Sequence, residues 1–250
     1  MSQVIAVLNQ KGGVGKTTTT INLAAAIANS GKTVLVVDLD PQANATSGLN
    51  VDKTSLKYSV YEVLVSGAKA KNVIIDTETN NLSLLPASTT LAAAEQELVS
   101  VMARESVLKN AISNLEYDYI FVDCPPSLGL LSINALVASD SVLVPVQTEF
   151  YALEGLGLLM QTIQRVQAGL NPQLKLLGVV MTMVDPRNSL SGQVVAEVKK
   201  HFGDHVFNTF IPRNVRLAEA PSYGKTIFEH DKWSKGSRAY KSLAKELMQR

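Results

Sequence analysis

Two lysines and three glycines are packed into Lys11-Gly12-Gly13-Val14-Gly15-Lys16, which is followed by Thr17 and Thr18. That composition suits a polyphosphate. Glycines let backbone amides approach phosphate oxygens with no Cβ in the way, and a helix starting near Lys16 adds open N–H groups and a positive dipole end. Lys16 is then expected at the β- and γ-phosphates and the Thr17 hydroxyl on Mg²⁺. The usual P-loop has a glycine five residues before Gly15, but here that position is Gln10 and an additional lysine, Lys11, follows it. Two lysines are more charge than one triphosphate site usually takes from its own loop.

Carboxylates recur where the γ-phosphate and its Mg²⁺ would lie. Val37-Asp38-Leu39-Asp40-Pro41-Gln42 ends one apolar run with two acids, and Tyr119-Ile120-Phe121-Val122-Asp123 ends another with one. Asp38 and Asp40 share a side only if the strand persists to Asp40, and Pro41 stops it soon after. Asp123 follows the Walker B pattern of an apolar strand ending in a metal-serving carboxylate. Either acid-ended run alone could equally be a cap or an ion pair; in order behind a P-loop they form a Mg–nucleotide set.

Such residues need strands that end together. Val4–Leu8, Val34–Leu39, Leu82–Leu85, Tyr119–Val122, Ser141–Val146, Leu176–Met181 and Val206–Ile211 read as strands, most of them continuous apolar runs suited to a sheet covered on both faces. Thr17–Ser30 (meeting Gly31), Leu91–Leu115 (one helix or two), Leu153–Ala168 and Gly192–Phe202 (stopping at Gly203) read as helices. Tyr240, Leu243, Ala244, Leu247 and Met248 form a last amphipathic stripe. The alternation predicts an α/β fold over residues 1–250 as a single domain, with a doubly wound, mostly parallel sheet flanked by helices and ligands at the strands' carboxyl ends.

Bulk properties narrow the function. Net charge is only +1, yet residues 1–186 carry 11 Lys/Arg against 16 Asp/Glu while residues 187–250 carry 12 against 6. A basic face toward the C-terminal end would suit a polyanion. The single cysteine, Cys124, excludes an internal disulfide. Neither a signal peptide nor an apolar run of membrane-spanning length is visible, so a cytoplasmic location is expected.

Lys11 to Thr17, with Asp38-x-Asp40-Pro-Gln and Val-Asp123-Cys-Pro-Pro-Ser127, resembles the ParA/MinD family of deviant Walker A ATPases. Gln42-x-Asn-Ala-Thr-Ser-Gly48, Pro125–Asn134, Tyr151-Ala-Leu-Glu-Gly155 and Ile211–Pro221 are similar to the chromosomal ParA branch, often called Soj. The resemblance runs nearly end to end and starts at the first strand, so the helix-turn-helix extension of long plasmid ParA proteins, and the sequence-specific autorepression that goes with it, are not expected. It implies ATP and Mg²⁺ as ligands and a homodimer with nucleotide sandwiched between subunits. Lys11 would reach the partner's phosphates, Asp40 would orient the attacking water, and Thr17, Asp38 and Asp123 would serve the metal. Pro212 and Asn214 would lie on the adenine side. The resemblance further implies non-specific binding of double-stranded DNA on the nucleoid, with Arg187, Lys199, Arg216, Lys225 and Arg238 as contacts, and a ParB-type protein stimulating hydrolysis.

Three rival readings share the loop. A MinD-like positioning ATPase would use a terminal amphipathic helix on a membrane, whereas the stripe ending at Met248 has the spacing of a helix packed on its own domain; no membrane partner is expected. A nitrogenase iron-protein type needs two cysteines per subunit, and Cys124 is alone. A biosynthetic ATPase needs a substrate constellation, and His201, His205 and His230 do not suggest one.

Overall fold

The computed structural model describes residues 2–149 and 152–250, without the side chains of residues 152–154. Seven strands form one sheet: β1 (Gln3–Val7), β2 (Val34–Asp38), β3 (Ile75–Asp76), β4 (Leu82–Leu85), β5 (Tyr119–Asp123), β6 (Ser141–Gln147) and β7 (Lys175–Thr182). Their order is β3-β4-β2-β5-β1-β6-β7, and every pairing is parallel except β3 with β4. Side chains alternate between two apolar layers, as the pleat requires. Ala6, Leu8, Leu35 and Val37 face one core and Ile5, Val7, Val34 and Val36 the other.

The helices are α1 (Lys16–Ala28), α2 (Asn44–Gly48), α3 (Val60–Val65), α4 (Leu91–Glu97), α5 (Val107–Ile112), α6 (Leu130–Ala138), α7 (Ala152–Gly169), α8 (Ser189–Phe202), α9 (Val215–Glu219), α10 (Ile227–His230) and α11 (Lys235–Leu247). Helices α3 to α8 cover the first layer. Helices α1, α10 and α11 cover the second, where Tyr240, Leu243, Ala244 and Leu247 are buried. The C-terminal stripe is thus consumed by the domain's own core, apart from Met248, which is exposed at the helix's end. Among the described residues no helix is long and apolar enough to cross a membrane.

One expectation changes, one open alternative is settled and one strand is new. Val206–Ile211 is not a ladder strand: it touches the β7 side through isolated bridges at Val206 and Pro212. Between them the amides of Asn208 and Thr209 donate to the Glu246 carboxylate, at 2.7 and 3.0 Å, instead of to a strand. Leu91–Leu115 breaks into α4 and α5 with two 3₁₀ turns between, around Ala103 at φ 53°. Finally, the two-residue β3 is an antiparallel edge too short to leave a periodic signal.

Candidate nucleotide site

Strands β1, β2 and β5 end level with one another. Asp123 pairs in register with Asp38 on one side and Val7 on the other. Beyond β1 the chain forms the Gly-rich loop and enters α1. Gly13 and Gly15 hold φ of +75° and +89°, a region L side chains rarely adopt, and nothing lies within 4 Å of a Cβ built on Gly12 or Gly13. Gly15 caps α1 without a side-chain hydrogen bond, and no acid lies in the first turn. The first N–H groups therefore stay open to an anion.

The two lysines face different ways. Lys16 is buried, and its Nζ donates to the Lys11 carbonyl at 3.2 Å. Burial lowers its pKa, partly offset by Asp123, Cys124 and Asp40. Lys11 is exposed and ion-paired with Glu149, beyond β6. Asn9 braces the loop between them, accepting from the Lys11 amide at 3.0 Å and donating to the Pro145 carbonyl at 2.7 Å. Thr182 donates to the Val14 carbonyl at 2.8 Å and ties the loop to β7.

Asp123 is fully buried and accepts from Thr17 at 2.7 Å and Thr20 at 3.0 Å. Desolvation and then the neighbouring Asp38 push its pKa up to about 7, against the pull of the two threonines. Asp38, also fully buried, is pushed up to about 6, chiefly by desolvation. Strand β2 ends at Asp38, so Asp40 lies in the following loop. One Asp38 oxygen accepts from Thr46 twice, N–H at 2.8 Å and Oγ1 at 2.7 Å, and the other accepts from the Asp40 amide at 3.2 Å. Asp38 therefore organises the loop that carries Asp40, as well as lying beside Asp123. One Asp40 oxygen accepts from the Gln42 amide at 2.9 Å, and the other has no partner among the described residues. The Cys124 thiol is fully buried, and burial raises its pKa well above the usual value, so it is not a nucleophile.

Two buried carboxylates and a hydroxyl at a phosphate loop fit Mg²⁺, which takes its remaining ligands from phosphate and water. Beside the loop a cavity of about 250 Å³ is lined by Gly15, Thr18, Met183, Pro212, Asn214 and Tyr240, among others. Its apolar walls and its place at the head of α1 suit a purine. Asn214 Oδ1 caps α9 through the Arg216 amide at 2.9 Å. Tyr240 OH meets Thr19 Oγ1 at 3.1 Å, which locks α11 to α1.

The fold thus gathers Lys11 to Thr18, Asp38, Asp40, Asp123, Pro212 and Asn214 around one end of the sheet. Pattern reading missed Thr20, Thr46, Asn9, Thr182, Tyr240 and Glu149. Thr20 carried a legible signal, three residues after Thr17 on one helix face. The five basic candidates are distributed differently. Arg187 is bound to Asp185 at 2.9 Å, and Arg216 to Glu219 at 2.9 Å and Asp231 at 3.6 Å. Lys199 sits over the Phe210 ring at 5.3 Å. Lys225 and Arg238 are exposed. Tyr151 lies outside the described residues.

Comparison with known proteins shows the family. A family model described as an AAA domain matches residues 2–176. The chain is 54% identical over 249 residues to the sporulation initiation inhibitor protein Soj of Bacillus subtilis, covering 99% of this chain and 98% of that protein. It is 51% identical over 246 residues to the chromosome-partitioning ATPase Soj of Thermus thermophilus, covering 98% and 95%. A crystal structure of cobyrinic acid a,c-diamide synthase from Mycobacterium smegmatis with bound ADP and magnesium superposes with a TM-score of 0.88 at 39% identity, covering 100% of this chain and 95% of that one.

Proposed function

The chain belongs to the AAA-domain family and, within it, to the Soj/ParA branch of chromosome-partitioning ATPases, and from that premise we propose that it partitions DNA as an ATP-switched dimer. It is a Mg²⁺-dependent ATPase. Two copies join face to face around nucleotide, the joined form holds double-stranded DNA without sequence preference, and a ParB-type protein stimulates hydrolysis to release it.

The observation that carries this reading is the division of labour between the two lysines. Lys16 is turned into its own loop, while Lys11 stands at the surface on an ion pair that a stronger anion can displace. An exposed lysine on a phosphate loop is placed to reach phosphates presented by a second subunit, where it stabilises charge on the transferring group.

Within one subunit the open amides of α1 and Lys16 hold the phosphates. Thr17 and Asp123 position the metal, and Asp38 holds the Asp40 loop in place through Thr46. Asp40 keeps one carboxylate oxygen unengaged among the described residues, the group needed to orient a water for in-line attack. Thr17 and Asp123 would hold Mg²⁺, which would supply positive charge to offset that of the phosphates. The synthase named above shares less identity with this chain than the Soj proteins do.

The test is DNA binding by the Asp40→Ala protein with ATP and with ADP across a salt series. Sequence-indifferent, salt-sensitive binding with ATP only is expected. ATP-dependent dimerisation with no DNA binding at any salt would discard the DNA reading.

A further inference from the structure

The charges of residues 220–250 are sorted by whether they have partners: the three acids and Arg250 are bound within the fold, and the other six cations are not. Of the acids there, Glu229 accepts from the Thr226 amide and from Thr79, Asp231 accepts from the Trp233 amide and pairs with Arg216, and Glu246 accepts from the Asn208 and Thr209 amides. All three are spent on holding the fold. Lys225, Lys232, Lys235, Arg238, Lys241 and Lys245 are all exposed, and none forms an ion pair among the described residues. Those on α11 recur at spacings of three and four, so they line the helix face opposite its buried stripe.

At the head of this stripe stands Trp233, the only tryptophan of the chain and 78% exposed. It is an ordered residue: its amide donates to Asp231 Oδ1 at 3.1 Å, and Ser234 caps α11 through the Ser237 amide at 3.0 Å. Lys232 holds its ammonium 5.5 Å from the ring centroid. The other oxygen of Asp231 pairs with Arg216, so one carboxylate links the tryptophan turn to that arginine. The indole is thus held outward among cations that form no ion pair among the described residues, with Lys232 as its aromatic-ring contact.

We propose that Trp233 is an apolar contact to double-stranded DNA, lying against the sugar edge of the groove while Lys232, Lys235 and Arg238 hold the flanking phosphates. The inference rests on the DNA reading above and adds to it a surface and a contact type. Cations alone give affinity that disappears with salt. An indole against deoxyribose adds a part that salt does not screen.

The test uses the full-length Asp40→Ala protein with ATP and Mg²⁺, titrated with a random-sequence duplex, and reads Trp233 emission alongside the anisotropy of labelled DNA. Emission should change in step with DNA binding. Adding Trp233→Ala should weaken binding roughly tenfold, the factor that burying part of one indole face supplies, with the salt slope unaltered. Adding Lys235→Gln should instead lower the slope of log K against log salt by about 0.9. DNA binding with constant emission and unchanged affinity in Trp233→Ala would overturn the contact while leaving the partitioning reading intact. An emission change on vesicles of anionic lipid but not on DNA would also overturn it. No DNA binding by any of these proteins at low salt would remove the DNA reading itself.

Discussion

Replacing Asp123 by Asn should make the nucleotide-free protein more stable at pH 8 while destroying its use for Mg²⁺. Asp123 lies opposite Asp38 in adjacent strands, both fully buried, and its pKa is raised to about 7 from an ordinary 3.8. A folded-state pKa above the unfolded one means that the native state binds more protons in between, so stability falls as pH rises from about 4 to about 7. At about 1.4 kcal/mol per unit, the ionised carboxylate costs the folded chain up to about 4 kcal/mol above that window. Asn carries no charge but keeps one acceptor oxygen for the two hydroxyls of Thr17 and Thr20, so about 1 kcal/mol is lost again. A net gain of about 1–3 kcal/mol at pH 8 follows, or some 2–12 °C in melting temperature for a chain of this size. At pH 5, where Asp123 is already protonated, the gain should vanish. Thermal melts of both proteins at pH 5 and pH 8, in EDTA without nucleotide, measure this. Equal or lower stability of the Asn variant at pH 8, or a gain independent of pH, would refute the account of a strained carboxylate pair waiting for a cation. With ATP and Mg²⁺ present the order should reverse, because only the parent protein gains binding energy.

Lys16→Ala should abolish the rise in melting temperature that ATP and Mg²⁺ give the parent protein, and a retained rise would remove Lys16 from the phosphate site. Lys11→Ala gives up only an exposed ion pair, worth about 0–1 kcal/mol, so the fold and nucleotide binding should persist. ATP-dependent dimerisation in sedimentation should fail, and a normal dimer that also turns over normally would sink the trans-acting role. Thr46→Val removes a hydroxyl that donates to buried Asp38 and accepts from the Ala87 amide at 2.9 Å. It should cost about 2–3 kcal/mol in denaturant unfolding and impair turnover by loosening the Asp40 loop; an unchanged midpoint would show that the network is dispensable.

Local chemistry wrote much of the site into the chain. A loop that admits phosphate needs glycines at positive φ, so Gly13 and Gly15 are visible as letters before any coordinates exist. Apolar runs that end in Asp38 and Asp123 declare strands buried on both faces with carboxylates at one end. What the letters could not hold is everything that depends on distance through space. Asp38 and Asp123 become neighbours only because β5 inserts between β1 and β2, and that strand order alone makes them a coupled pair. Thr46, Thr182 and Tyr240 reach the site from α2, β7 and α11, which no spacing rule connects to it. Residues 206–211 looked like a strand because their apolar content suits one, but Glu246, far along the chain, took two of their amides. The charge excess of residues 187–250 was likewise a sum over sequence. Folding decided which of those charges are spent internally, as at Arg216, and which, around Trp233, form no ion pair among the described residues, since a carboxylate pairs with whatever cation the fold brings within reach.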